Sequence, residues 1–145
     1  VEILETYGVR SEIYSVTSYG ELRRDGLECE RENRLNPGNA RRASYVEKLL
    51  GDGKYPTIAV SDNQIAVPDM IRQWVGGDYS VLGTDGFGRS DSREKLREFF
   101  EIDANNIVMT SAYALFKEGT LDKKEMQKIY KKCDLKRNKN SPWNE

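Results

Sequence analysis

The chain has 145 residues, with 23 lysine and arginine side chains against 24 aspartate and glutamate side chains, and it contains no histidine. A chain of this length buries one hydrophobic core, and its net charge of -1 excludes a strong long-range attraction to nucleic acid or to an anionic membrane. Because histidine is the commonest general base and the commonest transition-metal ligand, we expect any proton-transfer chemistry to lie outside this chain.

Two further features of the sequence concern its compartment. No apolar run reaches transmembrane length, and the first residues lack the basic and apolar regions of a signal peptide, which predicts a cytoplasmic protein. The cysteines, Cys29 and Cys133, lie far apart in separate helical patterns. We therefore expect two reduced structural thiols, and neither a metal site nor a redox dithiol.

The first seventeen residues predict a helix followed by a strand. Apolar residues within 1–7 have the spacing of the last turns of an amphipathic helix, and Gly8 ends that helix. We therefore expect further elements of the same domain, including at least one strand, to precede Val1. Residues 10–17 alternate in a β-prone pattern, which predicts a strand.

A long, highly charged helix is predicted next, over residues 19–34. Ser18 and Glu21 have the spacing of a capping box at its start. Gly20 and Gly26 each lower the intrinsic stability of this helix by about 1 kcal/mol relative to alanine. The helix must therefore be held in place by packing against the rest of the domain.

The sequence of the middle of the chain predicts a loop over 36–42, a short helix over 44–50 and a strand over 57–61. The triplet Gly51-Asp52-Gly53 between the helix and the strand matches the start of a thiamine diphosphate signature. The asparagine pair Asn105-Asn106 lies too far along the chain to complete that signature. We therefore interpret the triplet as a turn.

Residues 57–60 of this strand form a short apolar run bounded by Pro56 and Ser61, which predicts a parallel strand that is buried on both faces. Asp62 follows it and is expected to cap the next helix. Pro68 fits only the first turn of a helix, so this helix is expected to begin near Val67. Trp74 is expected to anchor the core or a domain interface.

A glycine-rich segment follows and links a strand over 79–82 to a helix. Asp91 is expected to be the N-cap of this helix and to form a capping box with Glu94. Unpaired N–H groups at such a junction can bind a small anion. The glycines can equally serve a tight turn while Phe87 packs on a neighbouring element. The candidate ligand or interface loop comprises Asp85, Gly86, Phe87, Gly88, Arg89, Ser90 and Asp91.

Two more helices complete the pattern. Asp103 is expected to cap a helix over 104–118, and Asp122 with Glu125 is expected to form a capping box for another. The apolar stripe of the last helix indicates a core-facing side, and it consists of Met126, Ile129, Tyr130 and Cys133.

Three strands that alternate with helices predict an α/β domain with helices on both faces of a largely parallel sheet, which is a three-layer α/β/α architecture. The domain is expected to span residues 1–135. Residues 136–145 are basic and rich in turn formers, which predicts an irregular tail.

The glycine-rich segment also carries a family resemblance. Residues 83–94 and 100–103 are similar to the carboxyl-terminal domain of the homodimeric bacterial pyruvate dehydrogenases, the thiamine-dependent decarboxylating component of the pyruvate dehydrogenase complex. Shorter matching stretches fall in the family's order and spacing at residues 14–18, 21–22, 24–26, 29–31, 36–37 and 45–46.

This resemblance implies a transketolase-like carboxyl-terminal domain with a five-stranded mixed sheet, whose first strands would precede Val1. It implies that the full-length cytoplasmic, homodimeric enzyme uses thiamine diphosphate and Mg²⁺ to decarboxylate pyruvate and passes the acetyl group to the dihydrolipoyl acetyltransferase component. The cofactor sites would lie in other domains, so the resemblance implies no catalytic residue, no cofactor ligand and no metal ligand in this chain. The chain alone is therefore expected to be inactive and to bind no cofactor. Its implied partners are those other domains, the dimer mate and the acetyltransferase.

Two alternatives remain open at the level of sequence. The chain could be an autonomous α/β module that binds a nucleotide or another small anion at residues 83–91. It could also be an interaction domain that docks onto another component of the complex.

Overall fold

The computed structural model describes residues 1–135 and 138–144. Its helices are α1 (Glu2–Glu5), α2 (Tyr19–Leu35), α3 (Tyr45–Leu50), α4 (Ala66–Asp69), α5 (Arg93–Phe99), α6 (Ala104–Lys117) and α7 (Lys123–Cys133). Its strands are β1 (Thr57–Val60) and β2 (Tyr79–Leu82), and short 3-10 turns cover Arg72–Trp74 and Pro142–Asn144.

The two strands form a parallel sheet in which Thr57 pairs with Tyr79 and Val60 with Leu82. Since side chains alternate along a strand, each strand presents residues to both faces. Ala59, Tyr79 and Val81 pack into the core cluster that also contains residues of α2 and α3. Helix α6 contacts both strands, and Val60 and Ile107 line one cleft on its side. The α/β prediction is confirmed, with a small, partial sheet between helices.

The prediction of a strand over residues 10–17 is wrong. This segment is extended, but within the described part of the chain it has no sheet partner. Ile13 in its middle is 75% exposed. Alternation alone does not make a strand, because a strand also needs a neighbour to accept its backbone hydrogen bonds. The described sheet therefore has two parallel strands and not the predicted three.

The expected burial of the first strand on both faces is also wrong, because Val60 at its end is 38% exposed. The apolar run indicated the strand correctly. It did not reveal that the sheet leaves part of one face uncovered.

The packing of α2 explains one of its glycines. Ser18 caps the start of the helix, since its Oγ accepts a hydrogen bond from the Glu21 N–H at 3.2 Å, and this is the half of the predicted capping box that the structure shows. Gly26 is buried, and a methyl group there would lie within 2.6 Å of three atoms of the Trp74 indole. Trp74 also donates from Nε1 to Glu30 Oε1 at 3.0 Å, so the indole is fixed against α2. Gly26 is the residue that lets the helix approach this ring.

The last two long helices form a second core with α1, so the described residues bury two core clusters where the length of the chain predicted one. Both predicted caps are present: Asp103 accepts from the Asn105 and Asn106 N–H groups, and Asp122 forms a reciprocal capping box with Glu125. The second core consists of Leu4, Val108, Ala112, Leu121, Ile129 and Cys133. The predicted stripe of α7 therefore faces the core through Ile129 and Cys133.

Candidate functional site

The glycine-rich loop, residues 83–91, leaves the carboxyl end of β2. Its first residues are tied to the segment that follows β1. The Thr84 N–H donates to the Asn63 carbonyl at 3.0 Å, and the Thr84 hydroxyl donates to the Asp62 carbonyl at 3.0 Å. Gly83 lies so close to Asn63 that a Cβ would meet its carbonyl oxygen at 2.7 Å. The base of the loop is therefore fixed against the end of the neighbouring strand.

Asp85 bonds to the chain itself. Its Oδ2 atom accepts a hydrogen bond from the Ile65 N–H at 2.7 Å, immediately before α4. The sequence had suggested Asp62 for the cap at this position, and that assignment is wrong because the Asp62 side chain is 79% exposed and approaches Arg97. The carboxylate that satisfies this N–H comes from a residue 20 positions later, which local spacing could not indicate.

The tip of the loop presents one aromatic side chain to solvent. Phe87 is 76% exposed, and Gly86 before it has a φ of +135°, a conformation that favours glycine. The guanidinium carbon of Arg89 lies 4.3 Å from the centre of the Phe99 ring, which is cation–π geometry. The structure therefore turns Asp85 inward, exposes Phe87 and lays Arg89 on α5.

The start of α5 differs from the predicted cap by one residue. Ser92 is the N-cap and its hydroxyl accepts from the Lys95 N–H, while Asp91 Oδ1 accepts from the Ser92 N–H at 2.8 Å. The predicted cap failed because aspartate and serine are both good N-caps and stand side by side. Two backbone donors at this junction are thus already bonded within the chain, which gives the anion-binding alternative no support.

An open cleft of about 520 Å³ lies at the same edge of the sheet. Three of its polar side chains have partners within the chain: Asp103 caps α6, and Arg97 lies 4.0 Å from Asp62. The lining residues are Val60, Ser61, Asp62, Glu94, Arg97, Ile102, Asp103, Ala104 and Ile107. The cleft thus combines three carboxylates with one arginine.

The residues present do not fit a thiamine diphosphate and magnesium site. The triplet Gly51-Asp52-Gly53 forms the predicted turn, and a Cβ on Gly53 would lie 2.7 Å from the Gly77 nitrogen. Its glycines thus permit two backbone segments to cross. Asp52 accepts from the Lys54 N–H at 3.1 Å, within its own turn. Among residues 1–135 and 138–144, no group of three or more cysteine, aspartate or glutamate side chains could hold a metal ion.

Both cysteines are buried free thiols. Burial raises the pKa of Cys29 and of Cys133 above the usual value for a thiol. A thiol with a raised pKa carries little thiolate at neutral pH and is a poor nucleophile.

Within the described part of the chain, no helix is long and apolar enough to cross a membrane.

Sequence reasoning missed one part of this site. Lys139 and Pro142, from the predicted irregular tail, lie against α5 and the glycine-rich loop. The proline-tryptophan pair in an otherwise basic stretch was the available signal, because such residues often mark packing. Of the predicted tail, residues 136, 137 and 145 lie outside the described residues.

Comparison with known proteins adds the family context. Residues 1–103 match the model of the transketolase-like TK C-terminal domain. The chain is 45% identical over 137 residues to the pyruvate dehydrogenase E1 component of Pseudomonas aeruginosa, covering 94% of this chain and 16% of that protein. It is 44% identical over 143 residues to the E1 component of Escherichia coli strain K12, covering 97% of this chain and 16% of that protein.

A third relative is the E1 component of Corynebacterium glutamicum, which is 46% identical over 121 residues, covering 83% of this chain and 13% of that protein. The chain therefore spans about one sixth, or less, of the length of these relatives. The similarity to the first two relatives extends beyond the family model, since more than 130 residues align and the model covers residues 1–103.

Proposed function

The chain belongs to the family of transketolase-like C-terminal domains, and we propose that it is the non-catalytic carboxyl-terminal domain of a pyruvate dehydrogenase E1 subunit. The observation that carries the proposal is the identity of 44% to 45% with two E1 components across 94% to 97% of the chain. The cleft residues Asp103 and Arg97, which take part in a helix cap and an ion pair, also support a structural role. We further propose residues 1–135 as the domain, with residues 136–145 as its carboxyl-terminal appendage.

The full-length subunit, in this proposal, converts pyruvate to CO₂ and an acetyl group that it passes to the lipoyl arm of the dihydrolipoyl acetyltransferase. Thiamine diphosphate with Mg²⁺ would supply the chemistry in other domains. The subunit would act as a homodimer in the bacterial cytoplasm, within the multienzyme complex that forms acetyl-CoA. The names and bacterial origin of the relatives support this assignment. The residues of this chain would hold the assembly together and perform no chemical step.

We propose that the loop of residues 85–91 is the contact through which the domain meets the rest of the subunit or the dimer mate. Phe87 is the anchor of this contact, because the base of the loop is fixed while the ring is 76% exposed. Burying a phenylalanine side chain contributes about 1.5–3 kcal/mol. A loop that is already ordered loses little conformational entropy when it binds, so most of that gain is retained.

A domain exchange tests the proposal. The corresponding region of the Escherichia coli E1 component would be replaced by this chain, and the decarboxylation of pyruvate and the dimer content would be measured. We expect the chimera to be dimeric and active. The matched control carries the same region of the Pseudomonas aeruginosa E1 component, which is about as similar to this chain as the Escherichia coli region is. Activity in the control but not in the chimera would contradict the proposed function.

The loop is then tested in the active chimera. We expect Phe87→Ala to weaken dimer or domain association and to lower activity, while Tyr113→Ala, which truncates a 53% exposed aromatic on α6, leaves both unchanged. In the isolated chain, Phe87→Ala should cost little stability because the partner surface is absent. A loss of stability as large in the chain as in the chimera would place Phe87 in the local core and refute the interface.

Calorimetry on the isolated chain completes the test. We expect no binding of thiamine diphosphate with Mg²⁺, since the cofactor would be held elsewhere. Micromolar binding by the chain would overturn the assignment of the cofactor to other domains. Saturable binding of a nucleotide or phosphate that is lost on changing residues 83–91 would instead favour the autonomous module.

A further inference from the structure

We infer that residues 138–144 form a clamp that fixes the conformation of the glycine-rich loop and of the end of α5. The clamp touches the loop on one side and the helix on the other, through Pro142 and Lys139. It is a property of the chain alone, so it stands or falls independently of the proposed function.

Lys139 makes the helix side of the clamp. Its ammonium group donates hydrogen bonds to the carbonyl of Glu98, at 2.8 Å, and to the carbonyl of Phe99. It also lies 3.5 Å from Glu101 Oε1, and its side chain is only 19% exposed. The last carbonyls of a helix carry partial negative charge and lack partners within the helix. Lys139, which is mostly buried and bonds to two of these carbonyls, is therefore well placed to hold this helix end.

The backbone at this helix end is unusual at Glu101, the residue that pairs with Lys139. Glu101 has a φ of +60° without being glycine, which costs energy for a residue with a Cβ. The Glu101 N–H bonds to the Glu98 carbonyl and the Ile102 N–H to the Arg97 carbonyl, which is the hydrogen-bond pattern of a Schellman ending. The ion pair with Lys139 gives the Glu101 side chain a role that glycine, the usual residue here, could not fill.

Pro142 makes the loop side of the clamp. A Cβ on Gly86 would lie 2.8 Å from the Pro142 carbonyl oxygen and 3.5 Å from the Phe100 ring. Pro142 is buried, so the contact is not a loose surface approach. Gly86 is thus enclosed between the clamp and the residue that ends α5. Since Gly86 precedes Phe87, the clamp sets the direction in which the exposed ring leaves the loop.

Limited proteolysis of the full 145-residue chain tests the inference. The Phe87 ring is already exposed, but chymotrypsin must bind several residues on each side of the cleaved bond in extended form, so the cleavage rate after Phe87 reports how often the loop backbone around it opens. Replacing Lys139 by methionine keeps the length of the side chain and removes its charge-assisted hydrogen bonds. We expect Lys139→Met to speed this cleavage by about tenfold. The control, Lys128→Met, changes an exposed lysine on α7 and should leave the rate unchanged.

The loop side is tested separately by Gly86→Ala, whose methyl group would collide with the Pro142 carbonyl. We expect this variant also to speed cleavage after Phe87. Because alanine is strained at the φ of Gly86 in any case, the contact with Pro142 is reported by hydrogen exchange at residues 138–144, which should rise as well. Equal rates in wild type and Lys139→Met would refute the clamp. Acceleration that extends equally to the buried Tyr79 would mean global unfolding, and it would refute a local clamp as well.

Discussion

Replacing Gly26 by alanine should destabilise the chain, although alanine is the better helix former. In an exposed position within a helix, this change stabilises a protein by about 1 kcal/mol. Gly26, however, faces the indole of Trp74, and the new methyl carbon would lie within 2.6 Å of three ring atoms. Carbon atoms in contact prefer a separation of about 3.5–4.0 Å. Relief would require Trp74 or α2 to move by roughly 1 Å.

The magnitude follows from what that movement disrupts. Overpacking a core costs about 1–3 kcal/mol. Trp74 is 4% exposed and its Nε1 atom donates to Glu30 Oε1 at 3.0 Å. Loss of that hydrogen bond adds about 0.5–1.5 kcal/mol. After subtraction of the gain in helix propensity, we expect Gly26→Ala to lower the free energy of unfolding by about 2 kcal/mol.

Urea denaturation followed by circular dichroism at 25 °C measures this effect. Gly20→Ala is the matched control, because it lies in the same helix and its Cβ would meet nothing closer than Ser18 Oγ at 3.8 Å. That control should raise stability by up to about 1 kcal/mol. A second variant, Trp74→Phe, removes part of the indole and should reduce the cost of Gly26→Ala when the two are combined.

The reasoning is refuted if Gly26→Ala stabilises the chain as much as Gly20→Ala does. It is also refuted if the cost of Gly26→Ala is the same with and without Trp74→Phe, since the two changes would then be independent.

Three further predictions concern single contacts. Asp134 ends α7 with a φ of +47°, a conformation that favours glycine. Asp134→Gly should therefore raise the free energy of unfolding by about 0.5–1 kcal/mol in urea denaturation. Asp85→Ala should lower stability by about 1 kcal/mol because the Ile65 N–H loses its acceptor, and Asp85→Asn should recover most of the loss in thermal melts. The hydrogen-bonded ion pair with Arg41 lowers the pKa of Glu47 in the folded chain. The stability that this ion pair contributes is therefore fully present above the unfolded-state pKa of about 4.3, and it is lost as pH falls through the lower folded-state pKa. Glu47→Gln should therefore be less stable than wild type at pH 7, and the difference should shrink in titrations toward pH 3.

Local patterns predicted those elements whose determinants lie within a few residues of one another. The caps at Ser18, Asp103 and Asp122 are confirmed because the side chain and the N–H that it accepts lie within three positions. The strand over 79–82 matches β2 for a similar reason, since glycines mark its end. In each case, the sequence window contains both partners of the interaction.

The errors arise where the second partner is distant in sequence. Residues 10–17 have the alternation of a strand, but pairing depends on a neighbour that local spacing does not contain. The cap of α4 comes from Asp85 and not from the adjacent Asp62, because folding brings the loop after β2 against the end of β1. Lys139 reaches the carbonyl of Glu98 across 41 positions. No periodicity within a helix or strand could have indicated these contacts.

The same long-range contacts determine what the glycine-rich loop can do. Glycines would let an isolated loop sample many conformations, and ordering such a loop on binding costs free energy. Here Thr84 and Asp85 hold its base to the segment after β1, while Pro142 encloses Gly86 from the other side. The Phe87 ring itself is 76% exposed. A partner that covers this ring would therefore meet a surface whose backbone is already in place, and loosening either restraint should weaken binding without changing the ring.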